Sequence, residues 1–316
     1  MSGTRDGAVR FGVQLAPQPA ETLRTLAGRI EALGYDAIWA GDHIQFHDPR
    51  LESLTLLSHL AAVTRRVRIG TAVYLLALRH PTVVAKMVAT LDILSSGRFV
   101  FGVGVGGEFP KEFEACGIPY DERGSRVDEG IAVCRLLWTR SPAAFEGRFA
   151  RFTDVSLEPK PVQSGGPPIL IGGRSDHALR RAARLGDGWM SYVITPDRYR
   201  AGLEKIQAFA VEAGRAIEPG RDFEPAHLAF TVVDDDWDRA REAAARYLTR
   251  QYNQPFDELA PKYCVLGSPA RCIETLERFV EAGVRTFVIG LVAGAERAPE
   301  QVERFAADVL PHFRRA

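Results

Sequence analysis

From Val67 to Glu108 the chain reads VRIGTAVYLLALRHPTVVAKMVATLDILSSGRFVFGVGVGGE: an apolar run, a helical period, and a second apolar run ending on glycines and a carboxylate. The first run, Val67 to Leu76, is too continuously apolar and β-branched for a strand with one wet face, which predicts a fully buried strand. Pro81 stands where a first helical turn begins, and Val83, Val84, Met87, Val88, Leu91 and Leu94 repeat at helical spacing through Thr82 to Leu94. Gly97 closes that helix and Phe99 to Val105 forms the next buried strand. Short apolar strands separated by helices of this length predict βαβ units and a parallel sheet.

The same alternation covers the rest of the chain. Strands are expected at Phe11–Ala16, Ala37–Ala40, Pro167–Gly173, Gly188–Val193, His227–Val233 and Thr286–Leu291. Helices are expected at Glu21–Leu33, Leu51–Val63, Arg123–Trp138, Asp176–Leu185, Arg198–Ala213, Asp238–Leu248, from Ser268 as cap to Ala282, and near Pro299–Phe313. Phe145 to Lys160 alternates like a small hairpin, and Tyr252 to Gly267 reads as irregular. Eight strands, each followed by helix and with no composition break between them, fit a closed (β/α)8 TIM barrel better than an open sheet. The expected chain is one domain over residues 1–316, with insertions after strands 4 and 7.

Composition changes this picture little. The 316 residues are 46% hydrophobic and 25% charged, ordinary for an enzyme with a sizeable core. Forty basic against forty acidic side chains leave no net charge, so neither nucleic acid nor an anionic membrane is favoured as partner. Cys116, Cys134, Cys264 and Cys272 are scattered with no CxxC pair, which fits free thiols in a reducing compartment. The start, MSGTRDGAVRFGV, lacks an apolar leader and no run is long enough to span a membrane. A cytoplasmic protein is expected.

In such a barrel the chemistry lies at the C-terminal ends of the strands. His43, beside Asp42, can act as acid or base near neutral pH, or can be a loop histidine bonded for structure. His43, His47, Asp42 and Asp48 lack the spacing and third cluster of a metal site, so no metal is expected. Glu108 follows GVGVGG, where glycines permit close approach of a ring or phosphate; beside an apolar ring its carboxyl would be raised, as suits a general acid, and in a solvated loop it would not. GxGxGG is not the dinucleotide fingerprint GxGxxG, and no helix is expected directly after it, since Pro110 and a loop intervene. Gly172, Gly173, Arg174 and Ser175 precede the helix starting near Asp176, an arrangement that favours phosphate over an ordinary tight turn. Arg79-His80-Pro81 says little beyond a helix start.

Together GDH at 41–43, RHP at 79–81, TLDILSSGR at 90–98, GVGVGGE at 102–108, PPILIGG at 167–173 and LGDGW at 185–189 resemble the luciferase-like flavin oxidoreductase superfamily. The likeness covers residues 11 to about 200 well and the last third in outline. It implies a TIM barrel holding an isoalloxazine ring at the strand ends, with the cofactor phosphate near Gly172-Gly173. GDHIQFH followed by GGE is similar to the coenzyme F420-dependent dehydrogenases and reductases, whose His and Glu flank the reacting carbon. By that resemblance His43 and Glu108 transfer protons, and Asp42, Gly106, Gly107, Lys111, Gly172, Gly173, Arg174, Ser175 and Asp176 contact the cofactor. The family's non-prolyl cis peptide would fall at Ala72–Val73, so that Ala72, Val73 and Leu75 lie against the ring.

Where the glucose-6-phosphate-dependent members carry threonine and lysine for the sugar phosphate, this chain has Tyr192 and Thr195, and the aromatic expected after the histidine is His47. Phe46, His47, Tyr74, Tyr192, and Tyr252 or Tyr263 then suggest an aromatic-lined pocket for an apolar or conjugated small molecule, although aromatics more often belong to a core. The leading expectation is an F420-dependent oxidoreductase moving a hydride to or from a small organic substrate. The first alternative is an FMN-dependent two-component monooxygenase, and the second a flavin-binding protein without catalysis. A flavin or F420 reductase as partner and a homodimer are what the family implies.

Overall fold

The computed structural model describes residues 8–314. Residues 1–7, on which part of the expectation about the chain start falls, and residues 315–316 lie outside the described residues. Eight strands carry the fold: β1 (Arg10–Leu15), β2 (Ala37–Ala40), β3 (Arg68–Thr71), β4 (Phe99–Gly104), β5 (Ile169–Gly172), β6 (Gly188–Tyr192), β7 (Glu224–Val233) and β8 (Thr286–Leu291). Each pairs in parallel with the next, and β8 returns to β1 with Gly12 opposite Val288, so the sheet closes into a (β/α)8 barrel. Around it lie α1 (Ala20–Ala32), α2 (Ser53–Val63), α3 (Pro81–Leu94), α4 (Pro110–Ala115), α5 (Arg123–Thr139), α6 (Asp176–Leu185), α7 (Pro196–Glu212), α8 (Trp237–Tyr252), α9 (Ala260–Tyr263), α10 (Pro269–Glu281) and α11 (Ala298–Asp308). Among the described residues no helix is long and apolar enough to cross a membrane.

Local chemistry sets the helix starts. Pro81, Pro110, Pro196 and Pro269 occupy first-turn positions, where the missing N–H costs nothing. Ser175, Thr195 and Asp236 accept backbone N–H bonds as N-caps of α6, α7 and α8. Ser268 stands at the cap of α10 as expected, but its hydroxyl makes no capping bond.

Three expectations need correction. The Val67–Leu76 run is not one strand: β3 stops at Thr71, the Ala72–Val73 peptide is cis, and a two-residue strand Tyr74–Leu75 leads into a 3₁₀ turn at Leu76–Leu78. Residues 252–267 are not irregular throughout, since α8 runs on to Tyr252, α9 follows, and Val265–Gly267 adds a short strand beside β7. A helix does follow the GGE loop: α4 begins at Pro110, where the proline that looked like an interruption is the first helical residue. The expected hairpin is present as Ala143–Glu146 paired with Arg151–Val155.

The barrel interior is filled low down by Trp39, which is fully buried. Gly12 and Gly70 on either side leave its ring room that any side chain would take. The floor is closed by charge. Glu224 receives both Arg68 nitrogens at 2.9 Å and the Thr286 hydroxyl at 2.8 Å, with Arg10 at 3.5 Å. These residues sit at or beside the N-terminal ends of β7, β3, β8 and β1, so one carboxylate ties four strands. Burial alone would raise the Glu224 carboxyl, but the Arg68 charge and hydrogen bonds, helped by Arg10 and Thr286, outweigh it and hold the group at about 2.

A depressed carboxyl stabilises the fold above its unfolded value and loses that contribution as pH falls toward the folded one. Glu224→Gln should therefore cost about 3 kcal/mol at neutral pH. In urea denaturation the difference between wild type and variant should shrink from about pH 4.5 to about pH 2. A difference independent of pH would contradict the assignment.

Candidate active site

The C-terminal strand ends surround a cleft of about 150 Å³ that opens to solvent. Val73 lines it. A Cβ added to Gly172 would stand 2.8 Å from Val73 Cγ1, and one added to Gly104 would overlap Val73 Cγ2. These glycines of the GVGVGG and ILIGG motifs thus make room for a side chain of the protein, in addition to any room they leave a ligand. Gln14, on β1, donates from Nε2 to the Ala72 carbonyl at 2.8 Å and fixes the peptide that presents Val73. Gly106 and Gly173 turn the chain at φ 65° and 129°, conformations that disfavour side chains.

His43 follows β2 and lines the cleft. Its Nδ1 lies 3.2 Å from both carboxylate oxygens of Glu112, which is fully buried and also accepts the Ile44 N–H at 3.2 Å. Phe46 stacks on the imidazole at 4.0 Å between ring centres. With Nδ1–H donated to the carboxylate, the other nitrogen, Nε2, carries the lone pair and has no hydrogen-bond partner among the described residues. Such an imidazole can take a proton from a ligand and return it. Glu112 was missed by sequence reasoning, because it lies on α4, a helix that the loop reading of residues 108–122 denied.

Asp42 is placed differently from expectation. Its carboxylate is buried and receives both terminal nitrogens of Arg79, the Ser53 hydroxyl at 3.2 Å and the Leu75 N–H at 3.0 Å. Its side chain therefore fastens the loop to the barrel, and the residue also lines the cleft. The uninformative RHP motif supplied the partner: Arg79 also lies 4.3 Å above the Tyr74 ring. Tyr74 is fully buried there and is core, not pocket. His47 is exposed and packs edge-on against Phe109, outside the cleft. Lys111 is an exposed residue of α4 that does not line the cleft, and Gly107 accepts the Tyr120 hydroxyl at 2.8 Å instead of facing it.

Glu108 does line the cleft, but as an exposed group and not one packed beside apolar surface. Tyr192 donates to its Oε1 at 3.1 Å. Burial, and then the Glu108 charge, hold the Tyr192 phenol above its usual range, so it remains a donor. Tyr252 stacks over Tyr192 at 6.3 Å, closing the rim from α8. Arg174, Ser175 and Asp176 line a neighbouring hollow with Arg198, Lys205 and Tyr263. Arg174 donates to the Val193 carbonyl at 2.6 Å, and Asp176 is paired with Lys205 at 2.9 Å. Only Gly172 and Gly173 of that motif face the main cleft.

Residues 8–286 match the family model of the luciferase-like monooxygenases. The chain belongs to this family. It is 28% identical to an FMNH(2)-dependent dimethylsulfone monooxygenase of Pseudomonas putida over 92% of this chain and 87% of that protein. It is 27% identical to an F420-dependent glucose-6-phosphate dehydrogenase of Kineococcus radiotolerans, over 92% and 93% of the two chains. Its fold matches an F420-dependent secondary alcohol dehydrogenase crystallised with an F420-acetone adduct at TM-score 0.83, with 23% identity over 96% of this chain and 98% of that one. The recognised superfamily and the barrel are thus those expected from the motifs.

The contact between Val73 and its glycine neighbours has a direct test. Gly104→Ala should destabilise by about 1–3 kcal/mol through overpacking. Adding Val73→Ala should recover much of that loss in the double variant, read by urea denaturation; strictly additive losses would mean that the two positions do not share this space.

Proposed function

We propose that this protein is an oxidoreductase that binds the deazaflavin coenzyme F420 in the cleft and serves hydride transfer to or from a small organic substrate. One observation carries the reading: His43, with Nδ1 anchored on buried Glu112 and Nε2 free, shares the cleft with the carboxylate Glu108. Two titratable groups of different surroundings on one cleft suit a reaction in which a proton must accompany the hydride. The bound deazaflavin would supply the hydride itself.

The residues present fit such a cofactor. Ala72, Val73, Leu75 and Gly106 offer an apolar wall, and Gly172-Gly173 lead to α6, whose first turn presents backbone N–H groups to an anion. Lys205 partly neutralises Asp176 at that helix start. Substrate would lie on the Tyr192 and Tyr252 side. A sugar phosphate is disfavoured, because Tyr192 is bound to Glu108 and Thr195 caps α7. His43 Nε2 would hold or accept the proton, with Glu112 stabilising the charge it gains.

FMN is the second reading, supported by the Pseudomonas relative. In either case we place the protein in the cytoplasm, with a separate F420 or flavin reductase restoring the cofactor. We also infer a homodimer, supported by Val83, Met87 and Leu94, which stand exposed on one face of α3 by helical period.

Fluorescence titration of the purified protein separates the cofactors. F420 should bind at least tenfold more tightly than FMN, and His43→Gln should leave F420 affinity within about threefold. Tighter binding of FMN, followed by oxygen uptake with reduced FMN, would replace this proposal by the monooxygenase.

A further inference from the structure

The cleft contains one guanidinium that the structure leaves underemployed. Arg50 follows the His43 loop and lines the cleft together with Gln251 and Tyr252. Among the described residues it has no carboxylate partner. Its only hydrogen bond is from Nη2 to Gln251 Oε1 at 3.3 Å, long for a charged donor. Its Nε is buried and has no acceptor among the described residues. Phe46, at 5.5 Å from the guanidinium carbon, supports one face of the group.

The other charged groups of the cleft are spoken for. Asp42 is taken by Arg79, His43 faces Glu112, and Glu108 accepts from Tyr192. The neighbouring loop carboxylate, Asp48, pairs with Arg250 and not with Arg50. The guanidinium therefore brings a positive charge without a carboxylate partner to the cleft wall, which favours an anion that arrives. Arg50 has a planar fork suited to two oxygens at once, which a carboxylate supplies and a neutral amide does not. Met190, Leu228 and the Tyr252 ring line the same cleft with apolar surface.

We propose that Arg50 is the receptor for a carboxylate on the substrate, and that this enzyme acts on small organic acids with an apolar or conjugated body. The inference rests on the oxidoreductase reading only for what happens to the acid afterwards. A second source of the same chemistry is the cofactor's own phosphate, and the test separates the two. Arg50 binds and orients; it is not proposed to exchange protons.

Calorimetry with matched pairs decides the matter: cinnamate against cinnamamide, benzoate against benzamide, and hexanoate against hexanamide. At least one acid should bind ten times or more tightly than its amide to wild type. Arg50→Gln should erase that preference, Arg50→Lys should retain part of it, and F420 and FMN affinities should stay within threefold in both variants, which also reports that they are folded. Equal binding, or no binding, of acid and amide in every pair would overturn the proposal. So would a preference that survives Arg50→Gln, or a tenfold loss of cofactor affinity in that variant, which would assign Arg50 to the cofactor phosphate. Should neither cofactor bind wild type while the acid preference holds, the carboxylate site stands and the F420 reading falls.

Discussion

A carboxylate with no access to water must find its partners inside the protein, and Glu112 finds them in His43 and the Ile44 N–H. That one constraint joins the loop after β2 to the helix after β4, two elements that flank β3 at the barrel mouth. It also decides which imidazole nitrogen faces the cleft. Removing either partner would leave a buried polar group unsatisfied, so the loop geometry and the acid–base chemistry are fixed by the same contact.

The wall after β3, between these two elements, is organised by shape. Val73 enters the space left by Gly104 and Gly172, and Gln14 holds the carbonyl behind it. The glycine motifs that suggest ligand binding in a sequence are therefore partly answers to a packing problem within the chain. A ligand meeting this wall meets the backbone and the Val73 side chain, which is compatible with a flat ring and asks for few polar contacts.

The barrel itself was legible in the sequence because its strands are buried on both faces and its helices start at prolines and caps with local causes. Residues whose role depends on backbone position were also legible: His43 and Glu108 at strand ends, and Gly172-Gly173 before a helix. What escaped was pairing. Asp42 and Arg79 are 37 residues apart, and nothing local says that the carboxylate faces an arginine and not a ligand. Glu112 looked like one more acidic residue after a proline, and its burial depends on α4 folding beneath the His43 loop. Tyr74 and His47 were grouped by residue type with a pocket that the pleat and the loop direction deny them. The hydrophobic pattern fixes which segments are strand or helix; it carries little information on which polar side chain meets which.

Glu112 should set the proton position on His43. Nitrogen-15 NMR of histidine-labelled protein measures this directly, with His43 assigned through a His43→Gln variant. The expected spectrum shows a ring protonated on Nδ1 with a bare Nε2, and loss of that bias in Glu112→Leu. A ring protonated on Nε2, with Nδ1 bare against Glu112, would contradict it, since the carboxyl would then hold the proton and His43 would present a donor to the cleft.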